Sequence, residues 1–434
     1  MITPIQDPTS LSIDEQVAWL MQGTNYGDEE MKQKMTVELR QRLAEAQQTG
    51  RPLRIYCGYD PRKPDLHLGH TITMRKLRQF QDLGHDVTFL IGSYTSLVGD
   101  PSDKDKTRPV LTEAEVEENA RTYVEQAYKI LDREKTIVRH NGEWLAGLRL
   151  LDLIQIAQNF TVQQFLQREN FAKRFDKGEP IFLQETFYAL MQAYDAVAQE
   201  TDVQVGGTDQ LFNILIAGRK LQQALGQKPQ VALIVDILPG TDGEIKMSKS
   251  LGNDIPILAA PADMYGKVMS VPDHAMPLYF KLATRWLPAQ VAEIEQALLD
   301  GSRHPRDLKM ELAREIVSIF HGDEAAAAAE EHFRTVFQQR ELPDDMPEVA
   351  LTGPMGLLTL LKEAGLVSSS SEGRRLVEQG GVKLNGQTVS DIKLELAPLE
   401  GEQVVQVGRR KFVRLVAAAA NANRANTESS LQAG

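Results

Sequence analysis

The chain has 434 residues, with 48 Lys or Arg against 60 Asp or Glu, a formal net charge of −12 and a hydrophobic fraction of 42%. This composition is typical of a globular protein of about two to three domains, and the net charge excludes a protein that coats nucleic acid by bulk positive charge. The single cysteine, Cys57, excludes a disulfide framework, and the lack of a signal peptide or of an apolar run of about 18 residues predicts a cytoplasmic protein that does not span a membrane.

The first half of the chain alternates short β-branched runs with longer amphipathic runs, which is typical of βαβ units around a parallel sheet. We predict an α/β fold with a Rossmann-like, doubly wound parallel sheet. The predicted strands lie at 53–59, 86–91, 136–139, 202–205 and 231–238. Thr112 and Glu115 match a capping box, which predicts a helix over 113–131.

The rest of the chain divides by composition. The predicted parts are an N-terminal segment (1–35), the sheet-bearing domain (36–255), an α-helical domain (256–342), a small α+β domain (350–416) and a disordered tail (417–434). Pro343, Pro347 and Pro354 indicate a linker before the small domain. The tail has almost no large apolar residues, so it cannot bury a core.

A histidine–glycine motif follows the first predicted strand. His67, Gly69 and His70 stand where the next helix is predicted to begin. A helix N-terminus favours phosphate because its backbone N–H groups and the positive end of its dipole point outward. Two imidazoles add donors, and the glycine lets a flat base or a ribose approach the backbone. Taken alone, the motif is also compatible with a plain helix start that carries two solvent-facing histidines.

A basic loop follows the last predicted strand of the sheet. Lys246, Met247, Ser248 and Lys249 lie in a glycine-bearing segment, and lysines on such a loop can close over a polyphosphate. Taken alone, this segment would be a solvated loop. Together, the HLGH and KMSKS motifs resemble the paired signatures of the class I aminoacyl-tRNA synthetases, with the nucleotide-binding sheet between them.

Three further segments narrow the resemblance to the tyrosyl-tRNA synthetase family. They are YCGYDP at 56–61, the YxxxQAYD pattern at 188–195 and QVGGTDQ at 204–210. The helical spacing puts Tyr188, Gln192 and Asp195 on one face. The resemblance covers roughly residues 35–416. It implies an enzyme that converts L-tyrosine and ATP to tyrosyl-adenylate and pyrophosphate, and then transfers tyrosine to the 3′ end of tRNA(Tyr).

The resemblance also implies roles for individual residues. The residues implied to meet the ATP phosphates are His67, His70, Lys246 and Lys249. Those implied to line the ATP and adenylate site are Gly58, Asp60, Gly69, Gly207, Asp209, Met247 and Ser248. Those implied to bind tyrosine are Asp195 and Tyr56 at its hydroxyl, Tyr188, Gln192 and Asp100 at its amino group, and Gln210 near its carboxylate. Mg²⁺ is expected to accompany ATP without a dedicated metal site.

The physical argument agrees with a carboxylate at the tyrosine hydroxyl. Only buried polar partners distinguish a phenol from a phenyl ring, because they lose a hydrogen bond when the hydroxyl is absent. Asp195 is therefore expected to hydrogen-bond the tyrosine hydroxyl, and Tyr56 is the second candidate for this contact.

The small terminal domain carries adjacent arginines on a predicted helix, followed by a Gly-Gly turn and a short strand. This segment resembles the RNA-binding domain shared with a small-subunit ribosomal protein, and a basic face there would bind tRNA. The residues of that face are Arg374, Arg375, Lys383, Arg409, Arg410 and Lys411. Without the resemblance, the pattern would predict only a solvated hairpin.

The resemblance implies a homodimer, to which the apolar stretch 148–165 could contribute. Its large apolar residues, Leu151, Ile154, Ile156, Phe160 and Phe165, are also compatible with ordinary internal core. Three other functions stay open at this point. They are a tryptophanyl-tRNA synthetase, which lacks the terminal RNA-binding domain, a catalytically silent relative that binds RNA, and a small-metabolite nucleotidylyltransferase, which can share the H-x-G-H start.

Overall fold

The computed structural model describes residues 8–61, 64–101, 112–335, 346–351, 353–396, 403–408 and 411–417. Its contacts divide the chain into two compact units, residues 1–330 and 331–434. Pro343, Arg409, Arg410 and all of the predicted tail except Ala417 lie outside the described residues.

The first unit is built on five parallel strands. They are β1 (Arg54–Tyr59), β2 (Asp86–Ile91), β3 (Thr136–His140), β4 (Val203–Gly207) and β5 (Val231–Val235). The strand order is β3-β2-β1-β4-β5, and every neighbouring pair is parallel. The predicted doubly wound α/β fold is therefore confirmed. In this order the winding reverses between β1 and β4, and ligands bind at the carboxyl ends of the strands at such a point.

Helices connect and surround these strands. They are α1 (Ile13–Met21), α2 (Glu29–Thr49), α3 (Leu68–Asp82), α4 (Thr95–Val98), α5 (Glu113–Ala127), α6 (Gly142–Leu145), α7 (Leu150–Ala157), α8 (Val162–Leu166), α9 (Glu169–Asp176), α10 (Leu183–Ala198), α11 (Arg219–Ala224), α12 (Pro261–Met269), α13 (Met276–Ala283), α14 (Pro288–Asp300), α15 (Pro305–His321) and α16 (Asp323–Phe333). A π-helix, Phe212–Gly218, precedes α11. Strand signals stop after β5 in the first unit, as the sequence predicted.

The observed boundaries differ from the predicted ones where other parts of the chain compete for the backbone. β5 ends at Val235 because the next residue, Asp236, donates its backbone N–H to Gly23 O at 2.9 Å. The capping box of Thr112 and Glu115 is confirmed, but α5 ends at Ala127 and tightens into turns instead of continuing to residue 131. Such tightening satisfies the last carbonyl groups of a helix.

The N-terminal segment completes the edge of the sheet. Thr24 forms an antiparallel bridge with Val235, and Asn25 N donates to Ile234 O at 2.9 Å. The Tyr26 hydroxyl donates to Ala232 O at 2.6 Å. β5 is buried along its whole length, so these bonds satisfy backbone groups that would otherwise form an open edge.

A buried carboxylate at the amino ends of the strands fastens α2 to the sheet. Asp202 accepts hydrogen bonds at 2.9 Å from Arg42 Nη1, Arg51 Nη2 and the backbone N of Arg54. The side chains of Arg42 and Asp202 are only 7% and 6% exposed. A buried ion pair of this kind has to be fully hydrogen-bonded to offset the cost of removing both charges from water.

The second unit is a small α+β domain. Its elements are β6 (Glu348–Leu351), β7 (Met355–Gly356), α17 (Leu357–Glu363), α18 (Ser370–Glu378), β8 (Val382–Leu384), β9 (Gln387–Thr388), β10 (Glu395–Leu396), β11 (Gln403–Val407) and β12 (Lys411–Ala417). One sheet has the order β6-β12-β11-β8-β9, and β7 pairs with β10. A core that includes Leu360, Val405 and Val413 lies within this unit. The predicted helix, Gly-Gly turn and strand are confirmed as α18, Gly380–Gly381 and β8.

We expect Asp202→Ala to lower the free energy of unfolding by about 3–5 kcal/mol, because it leaves the Arg42 guanidinium buried without a carboxylate. Urea denaturation at pH 7 measures the change. Arg51→Ala is the control and should cost less than about 1 kcal/mol, since Arg51 is half exposed. Equal effects of the two substitutions would contradict the importance of the buried pair.

Candidate active site

The HLGH motif forms the start of α3, directly after the β1 loop. His67 is the N-cap residue and α3 begins at Leu68, which confirms the predicted helix start. The backbone N of Leu68 donates to Ile255 O at 2.8 Å, so the segment after KMSKS holds this helix start in place. The rings of His67 and His70 lie 3.8 Å apart, and His67 N donates to His70 Nδ1 at 3.2 Å.

The KMSKS loop lies against the HLGH motif. Gly69 N donates to Met247 Sδ at 3.3 Å. A Cβ on Gly69 would lie 3.1 Å from His67 Nδ1 and 3.3 Å from Met247 Cβ, so only glycine allows this approach without displacing a neighbour. Within the loop, Ser248 N donates to Asn253 Oδ1 at 2.8 Å, and Asn253 Nδ2 donates to Asp242 Oδ2 at 2.5 Å.

Each lysine of the loop pairs with a carboxylate of the sheet domain. Lys246 Nζ lies 3.0 Å from Asp209 Oδ2, just after β4, and Lys249 forms an ion pair with Asp65, just before HLGH. The structure thus brings the two lysines to the N-terminus of α3 and to the β4 loop. Cationic donors gathered there can bind a polyphosphate.

Asp60 follows β1 and lies between two hydroxyl donors. Thr95 Oγ1 donates to Asp60 Oδ1 at 2.9 Å, and the Tyr188 hydroxyl donates to Asp60 Oδ2 at 3.1 Å. Burial and the charge of Asp60 raise the pKa of Tyr188 well above its ordinary value, so Tyr188 keeps its proton and remains a donor.

Asp195 is buried on the same face of α10, two helical turns beyond Tyr188. Its Oδ1 accepts a hydrogen bond from Trp144 Nε1 at 2.8 Å, and its Oδ2 accepts one from Asn141 Nδ2 at 3.3 Å. Burial raises the pKa of Asp195 to about 8, an effect that the two donors oppose and the charge of Asp60 reinforces. Because water does not reach this carboxylate, a ligand that lacks a hydroxyl would leave one of its hydrogen bonds unmade and would bind more weakly.

Two further predicted residues meet at the carboxyl ends of β2 and β4. Gln210 Nε2 donates to Asp100 Oδ2 at 2.6 Å, and Asn213 Nδ2 donates to Gln210 Oε1 at 3.0 Å. A Cβ on the neighbouring Gly207 would lie 2.7 Å from Asp209 Oδ1, so a side chain there would require the Asp209 carboxylate to shift. These residues face one another within the first unit.

Tyr56 lies next to Asp195 but is not hydrogen-bonded to it. The Tyr56 hydroxyl donates to the backbone oxygen of Gln192 at 3.4 Å, and the ring is buried with Leu90 and Ala196. Burial and the charge of Asp195 raise the pKa of Tyr56 well above its ordinary value. Gly58, the penultimate residue of β1, is exposed, and a Cβ there would lie 3.9 Å from Leu90 of this cluster.

The residues that sequence reasoning missed include four that bind predicted carboxylates or a predicted lysine. Thr95, Asn141 and Trp144 hydrogen-bond to Asp60 or Asp195, and Asp65 pairs with Lys249. Thr95 follows β2, and Asn141 and Trp144 follow β3. Their position after strand carboxyl ends was the available signal, but only the ends of β1, β4 and β5 carried recognisable motifs.

The predicted RNA-binding residues lie on three elements of the second unit. Arg374 and Arg375 are exposed on α18, and Lys383 is half-buried on β8. Lys411 is exposed on β12 and donates to Leu366 O at 2.7 Å. Because β8 and β12 both pair with β11, Lys383 and Lys411 lie on strands that flank the same neighbour.

Two features are absent from the described part of the chain. Within it, no set of three or more His, Cys, Asp or Glu side chains is arranged to hold a metal ion. None of the helices described there is long and apolar enough to cross a bilayer.

Comparison with known proteins gives matches over most of the chain. The family of tRNA synthetases class I (W and Y) matches residues 47–338, and the S4 domain family matches residues 355–404. The tyrosine–tRNA ligase of Moorella thermoacetica is 51% identical over 379 residues, which are 87% of this chain and 91% of that protein. The tyrosine–tRNA ligase of Thermotoga maritima is 50% identical over 363 residues, or 84% of this chain and 90% of that protein.

Two solved structures share the fold. The tyrosyl-tRNA synthetase of Archaeoglobus fulgidus complexed with L-tyrosine has a TM-score of 0.56 at 23% identity, covering 74% of this chain and 100% of that one. A C-terminally truncated mitochondrial tyrosyl-tRNA synthetase of Aspergillus nidulans has a TM-score of 0.57 at 22% identity, covering 75% of this chain and 94% of that one.

The raised pKa of Asp195 predicts a pH-dependent stability difference. An unfolded Asp titrates near pH 4, so the stability contributed by protonated Asp195 is lost as the pH rises from about 4 to about 8. The variant Asp195→Asn cannot ionise. Its unfolding free energy relative to the unaltered chain should therefore increase by up to about 1.4 kcal/mol per pH unit across that window, and then level off.

Urea denaturation at unit steps from pH 4 to pH 9 measures this difference. The substitution also alters the contacts with Asn141 and Trp144. This adds a constant to the difference in unfolding free energy and does not change how that difference depends on pH. A difference between the two proteins that does not vary with pH would show that Asp195 is ionised throughout.

Proposed function

This chain belongs to the tyrosine–tRNA ligases of the class I tRNA synthetases, and we propose which of its residues perform each part of their reaction. The enzyme activates tyrosine with ATP and charges tRNA. The tyrosine carboxylate attacks the α-phosphate, pyrophosphate leaves, and a ribose hydroxyl at the tRNA 3′ end then attacks the tyrosyl-adenylate. No side chain has to act as a nucleophile, so catalysis depends on positioning and charge stabilisation.

For the phosphates, we propose His67, His70, Lys246 and Lys249. The start of α3 supplies the positive end of its dipole, and both lysines lie beside it on the KMSKS loop. Negative charge moves to the leaving pyrophosphate during activation. Donors already in place stabilise that charge without a further reorganisation.

For the adenylate, we assign the ribose to Gly207 and Asp209. The proximity of Gly207 and Asp209 supports this assignment, since a Cβ on Gly207 would lie only 2.7 Å from Asp209 Oδ1 and the two residues can therefore meet the same ligand group. Asp209 offers carboxylate oxygens beside Lys246, so a ribose acceptor and a phosphate donor are neighbours. Gly58, Asp60, Gly69, Met247 and Ser248 complete the proposed lining.

For tyrosine, Asp195 is proposed to accept the hydrogen bond of the phenol. Its burial and its two fixed donors, Trp144 and Asn141, support this role, because a ligand without the hydroxyl would leave the carboxylate unsatisfied. Tyr56 lies next to Asp195 and is the second candidate. Tyr188, Gln192 and Asp100 are assigned to the amino group, and Gln210, which holds Asp100, to the vicinity of the carboxylate.

Exchange of labelled pyrophosphate into ATP, run with each common amino acid, tests the assignment of the substrate. Tyrosine alone should support exchange. The relatives that share about half of this sequence are tyrosine–tRNA ligases, which argues against the tryptophan-specific and nucleotidylyltransferase alternatives. Exchange with tryptophan, or no exchange at all, would favour one of those alternatives or a silent relative.

Mg²⁺ is proposed to enter with ATP, held mainly by phosphate oxygens and water. We place the enzyme in the cytoplasm. The lone thiol, Cys57, is free and buried, which suits a reducing compartment.

We further propose a homodimer. The stretch 148–165 divides into two parts: Leu151 and Ile154 are more than half exposed, whereas Ile156 and Phe165 are buried in a core cluster with Phe160 packed against it. The same stretch also carries Leu150 and Val162, each more than 70% exposed. A group of exposed large apolar side chains is typical of an interface.

Sedimentation at micromolar concentration should give twice the 48.4 kDa of one chain. Ile154→Glu should shift the mass towards that of a single chain, because it places charge in the apolar surface. Leu299→Glu is the control, since Leu299 is also highly exposed but lies on α14. A single-chain mass for the unaltered protein would exclude the dimer.

His70→Ala and Lys246→Ala should each slow single-turnover adenylate formation by about 10²–10³-fold, equivalent to about 2.7–4 kcal/mol, because each removes a donor to transition-state charge. Tyrosine affinity should stay unchanged. Lys228→Ala, an exposed lysine paired with Glu45, is the control and should have no effect. Loss of tyrosine binding with a normal rate would contradict the phosphate roles.

A chain ending at residue 345 should still make tyrosyl-adenylate but charge tRNA poorly, because the proposed tRNA-binding arginines and lysines lie beyond it. Each lost phosphate contact should reduce the slope of log affinity against log salt by roughly 0.7–0.9. In the full chain, Arg374→Ala with Arg375→Ala should flatten this slope by up to about 2 and leave activation unchanged. Full charging by the shortened chain would show that tRNA binds elsewhere.

A further inference from the structure

Two carboxylates of the site, the half-buried Asp60 and the buried Asp195, are joined by a continuous set of hydrogen bonds. Asn141 Nδ2 donates to Asp195 Oδ2 at 3.3 Å and to Thr95 Oγ1 at 3.0 Å. Thr95 Oγ1 donates in turn to Asp60 Oδ1 at 2.9 Å. Thr95 therefore links the residue assigned to the phenol with a residue assigned to the adenylate.

The direction of each bond in this set is determined. The backbone N of Tyr94 donates to Asn141 Oδ1 at 2.8 Å, which fixes the orientation of the amide. The amide nitrogen must then face Thr95 and Asp195, since it has only donors to offer. Because Thr95 Oγ1 accepts from the amide, its own proton is available for Asp60.

The set is also tightly enclosed. Thr95 and Asn141 are 3% and 1% exposed, so solvent does not compete for their bonds. A Cβ on Gly92 would lie 2.1 Å from Asp60 Oδ1 and 2.5 Å from Thr95 Oγ1, so glycine is required beside this contact. In such surroundings a hydrogen bond is stronger than in water, and neighbouring bonds polarise one another.

The two carboxylates also influence each other through charge. The negative charge of Asp60 raises the pKa of Asp195. A ligand group that donates to Asp60 or offsets its charge therefore favours ionised Asp195, which is the better acceptor for a phenol.

We propose that Thr95 is a positioning residue whose hydroxyl couples phenol binding at Asp195 to nucleotide binding at Asp60, so that tyrosine and ATP bind more tightly together than separately. The inference rests on the proposed roles of Asp60 and Asp195. It assigns Thr95 no contact with either substrate.

The test measures tyrosine affinity by calorimetry with and without α,β-methylene-ATP, an analogue that cannot release pyrophosphate. The ratio of the two dissociation constants is the coupling factor, which is typically about 5–150-fold for coupled sites. In the unaltered enzyme we expect a factor in this range. Thr95→Val should lower it at least threefold, whereas Thr95→Ser, which keeps the hydroxyl, should retain it.

Ser96→Ala is the matched control. Ser96 is the next residue of α4 and is fully buried, and its hydroxyl has no hydrogen-bond partner among the described residues, so removing that hydroxyl should leave the coupling factor unchanged. A purely structural role for Thr95 would change stability or both separate affinities without a selective loss of coupling. Thr95→Ala, which adds no bulk, replaces Thr95→Val if that variant does not fold.

The inference is wrong if the unaltered enzyme has a coupling factor of one, or if Thr95→Val or Thr95→Ala keeps the full factor. Pyrophosphate exchange on the same samples separates this result from a failure of the proposed function. Tyrosine-dependent exchange with coupling that does not depend on Thr95 refutes only the role of Thr95. The absence of exchange in the unaltered enzyme refutes the assigned function itself.

Discussion

The parallel pairing of β1 with β4 determines where the polar residues of this site lie. Ile55 pairs with Val203 and Tyr56 with Gln204, so the two strands end side by side. β2 and β3 extend the sheet on one side of this pair and β5 on the other, which opens a cleft where the winding reverses. The loops after β1 and β4 then supply HLGH, Asp60, Asp209 and Gln210 to one cleft, and the KMSKS loop reaches it from β5.

In the proposed function, the burial of Asp195 makes the site selective and also makes the folded state costlier. A carboxylate removed from water discriminates strongly between ligands that do and do not complete its hydrogen bonds, but its charge is destabilised in proportion. At Asp195, Trp144 and Asn141 reduce that cost without filling every acceptor position. At Asp60, hydroxyls of Thr95 and Tyr188 do the same. The donors at both positions are neutral, so they reduce the cost without adding a charge beside either carboxylate.

The sequence was sufficient to predict the fold class, the five strands and the location of both motifs, because each depends on local pattern: β-branched runs, a glycine at a helix start, and the order of elements. It was not sufficient for Thr95, Asn141 and Trp144, which meet Asp60 and Asp195 only after distant parts of the chain come together. Nor did it predict the end of β5 at Val235, since the competing partner, Gly23, lies more than 200 residues earlier. Local periodicity has no information about such partners.

The bridge between Thr24 and Val235 has a consequence for the order of events during synthesis. The contact between Asn25 and Asp236 spans 211 residues, so at 5–20 residues per second the N-terminal segment waits roughly 10–40 s on the ribosome before its strand partner is made. When β5 leaves the ribosome, the N-terminal segment that covers its outer edge has already been synthesised. β5 is an edge strand, and an uncovered edge can pair with another chain. It is also the last strand of this sheet to be translated, so the segment that covers its edge has already been made.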